Sequence, residues 1–166
     1  MSPRGRRSRP LRRIYWDASC LIALFNREPT TDAHVLAALE DTYGDMLDGK
    51  VVISTGDTAK VEVFAGSDER AFDELVACPY FDLLAVRTPV WELAKRLRKR
   101  CSEAVPKRSL KLGDALHLAT AALNRVDEIW TTDPKLIRYF EDGLLPGVPP
   151  VRRPYVVQPK LPFPKK

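Results

Sequence analysis

Four carboxylates in this sequence stand where an ionised side chain is costly or conspicuous. Asp17 interrupts the apolar stretch "RRIYWDASCLIALF", Glu62 lies among Val61, Val63, Phe64 and Ala65, and Asp114 opens the very apolar "DALHLATAAL". Asp133 follows the apolar "EIW" in "EIWTTDPKL". Burying a carboxylate costs several kcal/mol unless a cation or hydrogen bonds compensate it. Four acids in one place would repel one another, and some would hold protons, so together they suggest a bound cation. A hard cation takes oxygen ligands such as these carboxylates. A bound metal ion can orient and acidify a water, so that no nucleophilic side chain is required.

Each acid also has a plainer reading. Asp133 before Pro134 has the form of an N-cap followed by proline at the first helical position, and Asp114 after Gly113 could cap its own helix. Glu62 could be a solvated helix position. Asp17 is harder to explain structurally, because Ser19 could supply the cap and a strand end needs no charge. Asp57 reads as the N-cap of "TAKVEVFAG" and is left out of the site. His117 lies three residues after Asp114 and shares its helix face. It reads as a packing or hydrogen-bonding residue, since a metal-activated water needs no general base. His34 has no evident partner, and Trp91 with the Leu and Ala faces reads as core or dimer interface.

The elements that must position these acids are apolar runs alternating with helical patterns. "RIYWDA" predicts strand 1, "SCLIALF" a short helix, and "TTDAHVLAALEDTYGDMLDG" a longer helix burying Val35, Leu36, Leu39, Met46 and Leu47. "VVIS" predicts strand 2, "DTAKVEVFAG" and "DERAFDELVAC" helices, and "YFDLLAV" strand 3. Two further helices, "PVWELAKRLRKRCSEA" and "LGDALHLATAALNR", precede strand 4, "EIWTT", and a last helix begins at Pro134. Short apolar strands separated by helices imply a parallel sheet covered on both faces, an α/β sandwich. In such sheets the ligand site lies beyond the carboxyl ends of the strands, where strand order reverses. Asp17 and Asp133 would both stand on that edge.

The 166 residues, 45% hydrophobic and 30% charged, fit one globular domain with a real core. The longest apolar run is far short of the roughly 20 residues a spanning helix needs, which predicts a soluble, cytoplasmic protein away from membranes. Cys20, Cys78 and Cys101 are too few and too scattered for a disulfide framework or zinc site, and read as reduced, mostly buried thiols. The net charge of +5 is unevenly spread: residues 1–13 hold six arginines, residues 151–166 five Lys or Arg, and residues 14–150 are net −6. Half of the 14 prolines fall in residues 146–166, which read as an extended, docked or loose tail. The expected organisation is therefore a basic extension over 1–13, a domain over 14–145 and a proline-rich basic tail over 146–166. Within the acidic core, Lys95, Arg96, Arg98, Lys99, Arg100, Lys107, Arg108 and Lys111 make half of the positive charge. They read either as contacts for the phosphates of a nucleic acid around an acidic centre or as a solvated helix face.

"YWDASCLIALF", "KVEVFAG", "LGDALHLATA" and "IWTTDPKL", in this order, resemble the four acidic motifs of PIN-domain nucleases, and are most similar to VapC toxins of toxin-antitoxin pairs. The resemblance spans about residues 13–140. It implies a PIN-like α/β/α sandwich with strand 1 central and strand 4 beside it, Mg²⁺ or Mn²⁺ as cofactor, and endoribonuclease activity on RNA. It also implies a homodimer and a small antitoxin partner. Carried across, Asp17, Glu62, Asp114 and Asp133 match the catalytic, metal-holding acids, and Ser19 and Thr131 match supporting hydroxyl positions. Three alternatives stay open: a free-standing PIN nuclease of RNA processing, a phosphatase with an aspartate after strand 1, and a non-catalytic RNA- or protein-binding module. Against the phosphatase, the position two residues after Asp17 is Ser19 and not a second acid.

Overall fold

β1 (Arg12–Trp16) carries Ile14, Tyr15 and Trp16, all fully buried, in a computed structural model that describes residues 10–27, 31–64, 69–105 and 109–156. Successive strand side chains point to opposite faces, so a strand buried at consecutive positions must be covered on both sides. Tyr15 enters a core that includes Val90, Leu97, Leu116 and Leu136, while Ile14 and Trp16 enter a second core with Leu21, Leu39, Val63 and Leu75.

The chain continues through α1 (Ala18–Asn26), α2 (Ala33–Leu47), β2 (Val51–Gly56), α3 (Ala59–Phe64), α4 (Glu69–Val76) and β3 (Phe81–Leu84). It then forms α5 (Thr88–Ala104), α6 (Leu112–Leu123), β4 (Glu128–Trp130), α7 (Pro134–Glu141) and β5 (Val151–Arg152). The sheet has the order β3-β2-β1-β4-β5 with every neighbouring pair parallel. Helices α1 to α4 supply the core on one face and α5 to α7 the core on the other, which makes the expected α/β/α sandwich. Strand order reverses between β1 and β4, and the Asp17 N–H donates to the Trp130 carbonyl there at 3.1 Å.

Several local expectations are revised. In α2 the buried residues are Val35, Ala38, Leu39, Thr42 and Met46, whereas Leu47 is 55% exposed and Leu36 only partly covered. Val35, Leu39, Thr42 and Met46 follow one helical stripe, and Leu36 and Leu47 lie on its flank. Trp91 is 48% exposed on α5 and is not core. Asp57 uses its carboxylate to accept the Val86 N–H at 3.2 Å, so it fixes the chain leaving β3. Arg12 and Arg13, counted above with the basic extension, belong to β1. Arg12 pairs with the buried Glu128, and Arg13 with Asp82 at 2.7 Å. Of the three possibilities for the proline-rich stretch, the described part up to residue 156 is docked. Val148 and Val151 are buried, and the Ile129 and Thr131 N–H groups donate to the Pro150 and Arg152 carbonyls at 2.8 and 3.0 Å. β5 thereby covers the outer edge of β4. Cys20 and Cys101 are buried and Cys78 partly so, all as free thiols. Among the described residues no helix is long and apolar enough to cross a membrane.

Candidate functional site

Asp17 is the residue at which β1 ends and α1 begins, and it is the N-cap of α1. Its carboxylate accepts the Cys20 N–H at 3.2 Å and the Ser19 hydroxyl, and the residue is 5% exposed. The expectation that Ser19 caps the helix and leaves Asp17 without a structural task is therefore corrected. Ser19 instead joins the two strand ends: its Oγ accepts the Thr132 N–H at 2.9 Å and lies 3.5 Å from the Thr131 hydroxyl. Thr131 Oγ1 in turn accepts the Asp133 N–H at 3.0 Å. Asp133 caps α7 through its bond from the Lys135 N–H at 2.8 Å, with Pro134 following in the first turn. The cap reading of Asp133 thus holds, and the same side chain faces the acidic cavity described below.

Asp114 is not a cap. Lys111 occupies that position, and Asp114 sits in the first turn of α6, where the helix dipole favours a negative charge. Glu62 projects from α3 between the buried Ala59 and Val63 and the exposed Val61. It comes so close to α6 that a Cβ built on Gly113 would lie 2.5 Å from Glu62 Oε1. Only glycine leaves that carboxylate its place.

Tyr15, which the sequence did not single out, organises the floor of the site. Its phenol oxygen accepts the Gly56 N–H at 2.8 Å and lies 2.7 Å from His117 Nδ1. Burial pushes the phenol far above its usual range, so it keeps its proton. On the other side of the ring, His117 Nε2–H donates to Glu62 Oε2 at 2.8 Å. His117 is 3% exposed, so the hydrogen-bonding reading of this residue describes it. The missed signal was a tyrosine inside a strand buried on both faces, where a hydroxyl needs a partner.

Asp17, Glu62, Asp114 and Asp133 line one cavity of about 340 Å³, together with Lys111 and His117. Burial raises the carboxyl of Asp17 above the usual range, against the opposing pull of His117, the Ser19 and Thr131 hydroxyls and the Cys20 N–H. Burial also raises Asp114, and the charges of Asp133 and Asp17 push it further, while Lys111 and His117 oppose them. Like charge is therefore concentrated at the switch point of the sheet. Among the described residues, no three His, Cys, Asp or Glu side chains are gathered tightly enough to hold an ion directly. The basic residues separate into two groups. Arg98 donates to the Leu110 carbonyl at 3.1 Å, Lys99 pairs with Glu103 at 3.8 Å, and these two with Arg100 line neither this cavity nor the one beside it. Lys111 lines both. Lys107 and Arg108 lie outside the described residues.

A family model for the PIN domain matches residues 14–141. The chain belongs to the PIN domain family. Its structure is similar to that of VapBC2 from Rickettsia felis bound to a promoter DNA fragment, with a TM-score of 0.58 and 9% identity over 85% of this chain and 98% of that one. A toxin-antitoxin complex from Klebsiella pneumoniae matches this PIN domain with a TM-score of 0.55 and 24% identity, covering 87% of this chain and 99% of the other. VapC20 from Mycobacterium tuberculosis, a sarcin-ricin loop cleaving toxin, matches with a TM-score of 0.54 and 16% identity over 82% and 99%. At these identities the likeness is one of fold. No match to this chain was found among curated proteins.

Proposed function

We propose that this PIN domain is a divalent-metal-dependent endoribonuclease that hydrolyses RNA phosphodiesters, and that it is the toxin of a toxin-antitoxin pair. The observation that carries the reading is the convergence of Asp17, Glu62, Asp114 and Asp133, from four separate segments, on one cavity at the sheet's switch point. The donor set fits Mg²⁺ or Mn²⁺: it is all oxygen, its acids repel one another without a cation, and Gly113 makes room for Glu62. A divalent ion bound there supplies an acidified water and neutralises charge developing on the phosphodiester. The chain's own residues orient the acids. Ser19 and Thr131 hold the Asp17 and Asp133 turns together, and Tyr15 through His117 fixes Glu62.

Support for the toxin half comes from the fold shared with toxin-antitoxin proteins. A cleft lined by four acids suits an arginine or lysine from an antitoxin, which would compete with the metal. The test has two stages. Purified chain should cleave RNA with Mg²⁺ or Mn²⁺ and stop with a chelator; RNA bound but left intact refutes the nuclease, and turnover of an aryl phosphate alone favours a phosphatase. Expression in a bacterial host should then arrest growth, Asp114→Ala should not, and the genomic neighbour should relieve the arrest, co-purify with the chain and suppress cleavage. Cleavage without any such inhibitor leaves a free-standing RNA-processing nuclease.

A further inference from the structure

A second cavity, of about 480 Å³, opens between the start of α6 and α7 and shares Asp114 and Asp133 with the acidic one. Three cations line it: Lys111, at the cap of α6, and Lys135 and Arg138, three residues apart and so on one face of α7. All three are exposed, and among the described residues none is in an ion pair. Cations left unpaired beside a cluster of acids are available to an anion from outside the chain. We propose that this cavity is the subsite for the RNA strand next to the bond being cut, with Lys111, Lys135 and Arg138 holding its flanking phosphates.

The inference rests on the nuclease reading and adds the path of the substrate to it. A polyanion cannot approach Asp17, Glu62, Asp114 and Asp133 on their charge alone, even after a divalent ion neutralises part of it. Positive charge must sit close to that centre and on the side from which the strand arrives. Lys111 lines both cavities and marks the junction between them. The cavity is of the size that small ligands commonly fill, about 300–1,000 Å³, which suits a nucleotide unit. The basic row of α5 is the competing path, but Arg98 is tied to the Leu110 carbonyl and Lys99 to Glu103, away from both cavities.

The experiment measures fluorescence anisotropy of a short labelled single-stranded RNA, in an Asp17→Asn background so that binding is read without turnover. Adding Lys135→Ala and Arg138→Ala should weaken binding about tenfold or more and lower the slope of log affinity against log salt by about 1.4, at roughly 0.7 per phosphate contact on a single strand. The charge-preserving pair Lys135→Arg and Arg138→Lys should restore most of the slope, and Arg98→Ala with Lys99→Ala and Arg100→Ala should leave it unchanged. A slope unchanged in the α7 pair, with a loss in the α5 triple, overturns the subsite and moves the strand to α5. An α7 pair that binds RNA normally but no longer captures the inhibitory neighbour also overturns it, making the cavity a protein interface. Absence of RNA binding in the background variant overturns the subsite as well. Cleavage by the unmodified chain with Mg²⁺ or Mn²⁺ decides the nuclease reading separately.

Discussion

Asp17→Asn separates what Asp17 does for the fold from what is proposed for it in the reaction. Its carboxylate caps α1 and takes the Ser19 hydroxyl, and asparagine can still accept both bonds, since Asn and Asp rank equally as caps. What disappears is a buried negative charge that adds to the repulsion on Asp114. The raised carboxyl shows that burial outweighs the favourable partners of the ionised form, so the neutral amide should relieve the metal-free fold. Relief of this kind is commonly worth about 0.5–2 kcal/mol, and each kcal/mol moves Tm by roughly 2–4 °C in a domain of this size. Asp17→Ala loses the cap, which costs about 1 kcal/mol, and should melt below Asp17→Asn. A metal at about 100 times its Kd stabilises by about 2.7 kcal/mol, so the unmodified chain should gain roughly 5–10 °C with Mn²⁺. Asp17→Asn should lose most of that gain together with RNA cleavage. Differential scanning fluorimetry with and without Mn²⁺ reads all of these. A metal-free Asp17→Asn that melts well below the unmodified chain, or one with the full metal increment, refutes the reasoning.

Tyr15→Phe leaves the buried Gly56 N–H and His117 Nδ1 without their partner, which should cost about 2–4 kcal/mol and lower Tm by roughly 4–16 °C; an unchanged Tm removes the hydrogen-bonded chain to Glu62. Gly113→Ala should push the Glu62 carboxylate aside and weaken Mn²⁺ binding about 10–100-fold, read by calorimetry, while the chain stays folded; undiminished affinity takes Glu62 out of the metal site. The folded chain holds the Asp114 proton more tightly than the unfolded chain, so its ionisation destabilises the metal-free protein as pH rises from about 4 through the raised folded value. The stability gained by Asp114→Asn should therefore be near zero below that window, grow across it, and level off above it. A gain independent of pH contradicts the assignment.

The sequence by itself determined the layered fold, because apolar runs such as "RIYW" and "EIW" between helical patterns allow little except a parallel sheet covered on both faces. It also singled out Asp17, Glu62, Asp114 and Asp133, since carboxylates in apolar company are visible one residue at a time. Where a side chain's task depends on a partner far along the chain, only the tertiary structure decided it. Tyr15 reaches His117 and Gly56 across 102 and 41 positions, and Asp57 serves Val86 29 positions away. β5 is two residues long in a proline-rich stretch and has no periodicity to read, and it exists because the outer edge of β4 offers unpaired backbone groups. The separation of the basic residues had the same origin. Local sequence made the α5 row the conspicuous cluster, while Lys135 and Arg138 gain their place beside the acids only because α7 starts where β4 ends, next to β1, at the point where the order of the strands reverses.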